Sequence, residues 1–136
     1  MELNQLTFHH MGIACRDIAR TVRFYLDMGY TASAVVDDPL QHVKVCFLNK
    51  DGAPRLELLE PLDEQSPVLR MLDAVGVTPY HTCYAVSNIK EAVSALRSRR
   101  FLLVNGPVPA CAIGDRRVAF MFQKNIGLIE LVEIES

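Results

Sequence analysis

Short stretches in which apolar residues cluster with β-branched and aromatic ones mark the strands of this chain. Residues 7–14 and 80–86 have this character. After each stretch, apolar residues recur at helical spacing, at Ile18, Val22 and Tyr25 and again at Ile89, Val93 and Leu96. Asp17 and Asn88 stand just before these patterns and suit helix N-caps. Each half of the chain is therefore predicted to begin with a strand and a helix.

Three shorter strand patterns follow each predicted helix. They cover residues 31–36, 43–48 and 56–59, and then 102–104, 117–122 and 128–134. A connector, residues 61–79, joins the halves, and Ser66-Pro67 within it suits the start of a short helix. We therefore predict an α+β fold, in which two βαβββ modules at about residues 7–61 and 79–136 form a curved mixed sheet shaped like a cup. Both modules are expected to belong to a single domain, residues 1–136.

The two halves also repeat each other in sequence. The matched segments are 8–30 with 79–101 at an offset of 71, 56–60 with 129–133 at an offset of 73, and 45–50 with 119–124 at an offset of 74. This repeat duplicates a histidine and a glutamate, since His10 and Glu57 correspond to His81 and Glu130. A duplicated half that repeats both residue types indicates a site built from the two copies.

Glu57 and Glu130 each lie in an otherwise apolar strand pattern, where a buried carboxylate costs several kcal/mol unless a partner compensates. Strand alternation places Glu60 and Glu133 on the opposite faces, so we expect those two side chains to face solvent. Two imidazoles and two carboxylates suit a divalent ion such as Zn, Ni, Co, Mn or Fe and cancel its charge. We predict one such ion, with a hydrogen-bonded core network as the alternative and no other cofactor. The predicted ligands are His10, Glu57, His81 and Glu130.

Composition narrows the functional classes. A net charge of −2 argues against a nucleic-acid-binding surface, which needs a basic patch. No apolar run has the length of a membrane span, and Met1-Glu2 does not begin a signal peptide, so we expect a cytoplasmic protein without a membrane partner. The four cysteines lack Cys-x-x-Cys spacing. The repeat places Cys15, Cys46 and Cys83 opposite Val86, Phe120 and Gly12, which predicts small core residues rather than metal ligands or disulfides.

The chain resembles the vicinal oxygen chelate superfamily, which includes glyoxalase I, extradiol dioxygenases and bleomycin-resistance proteins, and within it the methylmalonyl-CoA epimerases. The segments that carry the resemblance are His10-Met-Gly-Ile-Ala, Glu57-Leu-Leu-Glu-Pro-Leu, Tyr80-His81-Thr-Cys-Tyr-Ala-Val, Arg117-Val-Ala-Phe and Gly127-Leu-Ile-Glu-Leu-Val-Glu. The resemblance implies paired βαβββ modules around a metal, with the four residues above at the ligand positions. It also implies a homodimer and a small-molecule substrate that chelates the ion.

Two positions depart from the epimerase pattern. Phe122-Gln123-Lys124 stands where epimerases carry His-Pro-Lys. Val45 aligns with a glutamate that serves some epimerases as one of two opposed proton-transfer bases, and the nearest histidine that could take this role is His42. We therefore expect methylmalonyl-CoA to be a poor substrate.

The leading functional hypothesis is a metal-dependent isomerase or lyase that stabilises the enolate of a carbonyl compound, often a thioester. Glu130 is the candidate base, also placed as a ligand, and Glu57 holds the matched position. One alternative is an Fe(II) dioxygenase, although such enzymes favour two histidines and a single carboxylate. The other is an antibiotic-sequestering protein without a metal, for which an apolar or aromatic groove is expected, whereas this chain has no Trp and concentrates polar residues at the four repeat positions.

Overall fold

The computed structural model describes residues 1–134. Its three α-helices within that range are α1 (Ile18–Asp27), α2 (Pro67–Val75) and α3 (Ile89–Arg97), and short 3₁₀ turns lie at Leu3–Gln5 and Cys111–Ile113. The strands are β1 (Thr7–Ala14), β2 (Thr31–Ala32), β3 (Val36–Asp38), β4 (Val43–Asn49), β5 (Leu56–Pro61), β6 (Thr78–Val86), β7 (Leu102–Ala110), β8 (Arg116–Gln123) and β9 (Gly127–Glu133). Among the described residues, no helix is long and apolar enough to cross a membrane. Positions 135 and 136 of the predicted second module lie outside the described residues.

The chain divides into two compact units, of which one comprises residues 10–80. In this unit, β1 pairs in parallel with β5, and β5 pairs antiparallel with β4. Strands β2 and β3 both pair with β4. Helix α1 covers one face of these strands, and the core there is formed by Ile13, Cys15, Ile18, Tyr30, Cys46, Leu48, Leu56 and Leu58.

The other unit comprises residues 1–9 and the chain from His81 onward. Strand β6 pairs in parallel with β9, and β8 pairs antiparallel with both β9 and β7. Helix α3 packs on one face, and its core residues include Ile89, Val93, Leu96, Met121, Ile129 and Leu131. Both units thus combine one parallel and several antiparallel pairings with a helix on one face, which confirms the predicted α+β class and mixed sheet.

The predicted helix starts are confirmed by their hydrogen bonds. The backbone N–H of Arg20 donates to Asp17 Oδ1 at 3.2 Å, and that of Glu91 donates to Asn88 Oδ1 at 3.1 Å. Ser66 caps α2 in the same way, with Pro67 at its first turn. Such caps satisfy N–H groups that have no partner within the helix.

Two strand predictions were wrong in extent. The pattern over residues 31–36 predicted one strand, but the chain forms the separate short strands β2 and β3. The pattern over residues 102–104 predicted a three-residue strand, whereas β7 continues to Ala110. Glycine and proline usually interrupt strands. Gly106 and Pro107 lie at a register shift of β7, where β7 has one residue more than its partner strand β8.

The expectation that Glu60 and Glu133 face solvent was wrong as well. Glu60 Oε1 accepts a hydrogen bond from the backbone N–H of Ile18 at 2.8 Å, and Glu133 Oε2 accepts one from Ile89 at 2.9 Å. Both carboxylates therefore lie at a helix N-terminus, where unpaired N–H groups and the helix dipole favour negative charge. Alternation assigned the correct face but could not reveal that a helix begins there.

Candidate metal site

The first unit brings His10 and Glu57 into contact. His10 Nε2 lies 3.2 Å from Glu57 Oε1, and the two residues are 0% and 4% exposed. They sit on the paired strands β1 and β5, where Gly12 is the register partner of Glu57. Since Gly12 follows His10 by two residues, its position shares a face with His10. A glycine there leaves the space between histidine and glutamate without a side chain.

The second unit repeats this contact with His81 and Glu130. His81 Nε2 lies 3.1 Å from Glu130 Oε1, and the two residues are 4% and 2% exposed. The register partner of Glu130 is Cys83, which again follows the histidine by two residues. The buried histidine–carboxylate pair is therefore a feature of each module separately.

A phenylalanine ring stands edge-on to each histidine. The ring centroids of Phe47 and His10 are 5.3 Å apart at an interplanar angle of 82°, and those of Phe120 and His81 are 5.4 Å apart at 87°. Phe47 is the register partner of Glu57, and Phe120 is that of Glu130. Each module thus holds a histidine, a glutamate and a phenylalanine in the same arrangement.

The sequence repeat missed these phenylalanines because one offset was wrong. An offset of 74 placed Cys46 opposite Phe120, whereas the strand registers equate Phe47 with Phe120, at an offset of 73. Cys46 then corresponds to Ala119, and both lie on the helix-covered face. The last strands of the two modules already matched at an offset of 73, and applying this offset to β4 and β8 would have aligned Phe47 with Phe120.

The structure brings the four predicted ligands into two contacts, one in each unit. His10 and Glu57 form one pair, His81 and Glu130 form the other, and all four residues are buried. Ligand atoms about 2.0–2.2 Å from one ion and at right angles are about 3 Å apart, which matches the His–Glu distances in both pairs. The donor set therefore fits a divalent ion, and we call these residues the ligand cluster: His10, Glu57, His81 and Glu130. That they bind a metal stays a prediction.

Neither Val45 nor His42 is placed to act as a second proton-transfer base beside Glu57. Val45 is 4% exposed and lies on the same strand face as Phe47, two residues away, so an apolar side chain fills this position. His42 Nδ1 lies 2.9 Å from Asp63 Oδ2 on a partly exposed surface. This hydrogen bond lowers the pKa of Asp63 and ties the imidazole to that carboxylate.

The three cysteines that the sequence predicted as core residues lie in the interior. Cys15, Cys46 and Cys83 are buried, Cys111 is exposed, and all four are thiols rather than disulfides. Desolvation by burial raises the pKa of Cys15 to about 11 and also raises the pKa of Cys46. These two thiols are therefore protonated at neutral pH and suit core packing.

Solved structures with similar folds include methylmalonyl-CoA epimerases. The enzyme from Mycobacterium tuberculosis superposes with a TM-score of 0.86 at 26% identity, covering 100% of this chain and 93% of that one. The Streptomyces coelicolor enzyme, in complex with 2-nitronate-propionyl-CoA, gives a TM-score of 0.82 at 27% identity over 96% of this chain and 99% of its own. These likenesses confirm the predicted fold class of paired βαβββ modules.

Sequence comparison agrees with the fold. The mitochondrial methylmalonyl-CoA epimerase of Mus musculus is 34% identical over 132 residues, which are 94% of this chain and 71% of that protein. The similarity to these enzymes shows that this chain is an epimerase-like isomerase, as the resemblance implied. A sequence model described as Glyoxalase/Bleomycin resistance protein/Dioxygenase superfamily matches residues 9–120. The chain therefore belongs to the glyoxalase/bleomycin resistance protein/dioxygenase superfamily.

Proposed function

We propose that this protein is a divalent-metal-dependent isomerase that moves a proton away from the carbon next to the carbonyl of an acyl thioester. The observation that carries the proposal is the duplicated, buried His–Glu pair, one in each module, with 3.2 and 3.1 Å between histidine nitrogen and carboxylate oxygen. The relatives named above act on or bind acyl-CoA compounds according to their names, which supports a thioester as the substrate class.

Charge favours an ion over a purely hydrogen-bonded network. Glu57 and Glu130 are almost fully buried, and a buried carboxylate is unfavourable unless positive charge lies beside it. Two neutral imidazoles and two carboxylates would hold a divalent ion with no net charge left over. When bound, the ion would polarise the substrate carbonyl and acidify the neighbouring C–H.

Glu130 is the proposed base. Its carboxylate would take the α-proton while the electron pair of the C–H bond moves toward the carbonyl oxygen, giving an enolate. The same carboxylate would then deliver the proton, on the same face, to a second carbon over which the negative charge is delocalised. Glu57 holds the matched position in the first module and balances the charge of the site. Phe47 and Phe120 would hold the imidazoles in place and limit access of water.

A single base restricts the reaction. Inversion at a carbon needs acid–base groups on both sides of it, and the buried Val45 cannot transfer a proton. We therefore propose a substrate whose isomerisation uses one base, rather than methylmalonyl-CoA. The homodimer implied by the resemblance stays a prediction, which sedimentation velocity would test.

The test is exchange of the α-hydrogen with deuterium. Protein supplied with Co or Mn is incubated with an acyl thioester in deuterium oxide, and the label is followed by mass spectrometry. We expect exchange that stops when a chelator removes the metal and resumes when metal is restored. Absence of exchange, together with oxygen uptake on a catechol by the Fe(II)-loaded protein, would replace this proposal with the dioxygenase hypothesis.

A further inference from the structure

The second module exposes large apolar side chains on its outer strands. Leu102 is 69% exposed, Val104 60% and Phe122 41%. Leu102 and Phe122 are direct partners across β7 and β8, and Val104 lies at the register shift between Leu103 and Asn105. We call Leu102, Val104 and Phe122 the apolar strip. Exposing a strip of this kind on a sheet face is unfavourable unless it contacts something apolar.

The apolar strip continues from His81 and Glu130 within the same unit. Phe120 stands edge-on to His81 and is the register partner of Glu130. Phe122 follows Phe120 by two residues, so both point to the same face about 7 Å apart along the strand. Leu102 shares this face because it is paired directly with Phe122. A molecule held at His81 and Glu130 would therefore meet Phe120 first and then the strip.

The first module shows that the fold does not require this strip. Its strands β2 and β4 place Thr31 opposite Asn49, at the positions that Leu102 and Phe122 occupy in the repeat. Both Thr31 and Asn49 are exposed and polar. The apolar pair Leu102 and Phe122 is therefore particular to the second module.

We propose that the apolar strip binds the hydrocarbon part of the acyl group, and that the substrates are acyl thioesters with an extended alkyl chain or an aryl ring. This inference rests on the proposed function for its substrate class. The strip is built from hydrocarbon side chains, so it selects by length and apolar area. The side of the site lined by Phe120 and Phe122 would accept the chain while Glu130 acts at the α-carbon.

The test measures binding, which needs no turnover. Acetyl-, butanoyl-, hexanoyl- and octanoyl-CoA are titrated calorimetrically into the metal-supplied protein. A methylene buried on one side only gains about twofold in affinity, half the effect of full burial on the free-energy scale, so octanoyl-CoA should bind roughly 50-fold more tightly than acetyl-CoA. The variant Leu102→Thr/Phe122→Asn installs the residues of the first module and should lose this gain, with acetyl-CoA binding changed less than about twofold.

The control variant is Phe24→Asn/Leu26→Thr, which removes an exposed phenylalanine and leucine from α1 and should keep the chain-length dependence. Equal affinities across the series for the wild-type protein, or an unchanged dependence in Leu102→Thr/Phe122→Asn, would overturn the proposal. So would loss of a dimer in that variant without any change in acyl binding, which would assign the strip to a second copy of the chain.

The two proposals fail in different ways. If chain length governs binding but no α-hydrogen exchanges, the acyl-binding role of the apolar strip stands and the isomerase proposal fails. If the α-hydrogen exchanges but affinity does not depend on chain length, the isomerase proposal stands and the role of the strip is overturned.

Discussion

The backbone N–H of Ile18 donates a hydrogen bond to Glu60 Oε1 at 2.8 Å, which joins the first turn of α1 to the last strand of its own module. The second module repeats the bond between Ile89 and Glu133 at 2.9 Å. Arg117 adds an ion pair to Glu133 at 2.9 Å. The duplication has therefore preserved a contact between helix and strand as well as the buried His–Glu pairs.

Glu133 should make stability depend on pH. The hydrogen bond from Ile89, together with Arg117, holds the pKa of this carboxyl below its ordinary value. A lowered folded-state pKa gives stability that is present above the unfolded pKa and is lost as the pH falls through the folded one. Glu133→Gln should cost about 1 kcal/mol or less near pH 7, since solvent screens the pair, and the difference should shrink below about pH 4. Urea unfolding at several pH values measures it, with Glu2→Gln as the exposed control.

Metal content should depend on the ligand cluster. Protein purified without chelator should contain close to one transition-metal ion per chain by elemental analysis, and His81→Ala should lose most of it, because removing one ligand leaves three for an ion that the site binds with four. His42→Ala is the matched control, since His42 also pairs with a carboxylate, Asp63, but outside the cluster. Full occupancy in a His10→Ala/His81→Ala variant would contradict the assignment.

Exchange of the α-hydrogen should depend on Glu130. Glu130→Gln keeps the size of the side chain but removes its basicity and its negative charge, so the exchange rate should fall by about 10²-fold or more. The variant Glu64→Gln, at an exposed position, should exchange at the wild-type rate. Unchanged exchange in Glu130→Gln would transfer the role of base to another residue, with Glu57→Gln as the next variant to measure.

Methylmalonyl-CoA should be epimerised poorly. A coupled assay with either stereoisomer, with Co or Mn supplied, should give a kcat/KM below about 10⁵ M⁻¹s⁻¹. Val45→Glu would place a carboxylate on the face that carries Phe47 and should raise this value, whereas Val45→Gln, which cannot transfer a proton, should not. A wild-type value above that threshold would identify the chain as an ordinary methylmalonyl-CoA epimerase.

Thiol reactivity should separate Cys111 from the other cysteines. Cys111 is exposed, whereas Cys15, Cys46 and Cys83 are buried, and burial raises the pKa of Cys15 to about 11. A disulfide reagent at pH 8 should therefore modify one thiol per native chain and all four after unfolding, because the thiolate is the reactive form. Cys111→Ser should abolish the native reaction. Modification of several thiols at equal rates in the native protein would contradict the burial.

Structural features that depend only on neighbouring residues were predictable from the sequence. Asp17 and Asn88 cap helices because their short side chains reach the N–H groups of the first turn, and this chemistry needs only a few neighbouring residues. The buried His–Glu pair of each module was predictable for a different reason. A carboxylate in an apolar strand is rare. Its occurrence at the same position of both repeats therefore indicates a common functional role.

Features that depend on distant pairing were not predictable. The bond from Ile18 to Glu60 spans 42 residues, and a single strand pattern contains no sign of which helix end will approach it. The contact of Phe47 with His10 was hidden by an offset wrong by one residue, since a shift of one moves a side chain to the other face. Val104 and Gly106 illustrate a further limit, because the register shifts of β7 arise from its pairing with β8.

The bond between Ile18 and Glu60 also sets an order of events during synthesis. Ile18 is synthesised 42 residues before its carboxylate partner, so the first turn of α1 exists before Glu60 is available. Until Glu60 has been synthesised, water must accept the hydrogen bond of the Ile18 N–H. Asp17 is then the only one of these two carboxylates that caps the helix. The same delay recurs over 44 residues between Ile89 and Glu133. In each module, the helix–strand hydrogen bond can therefore form only after the last strand of that module has been synthesised.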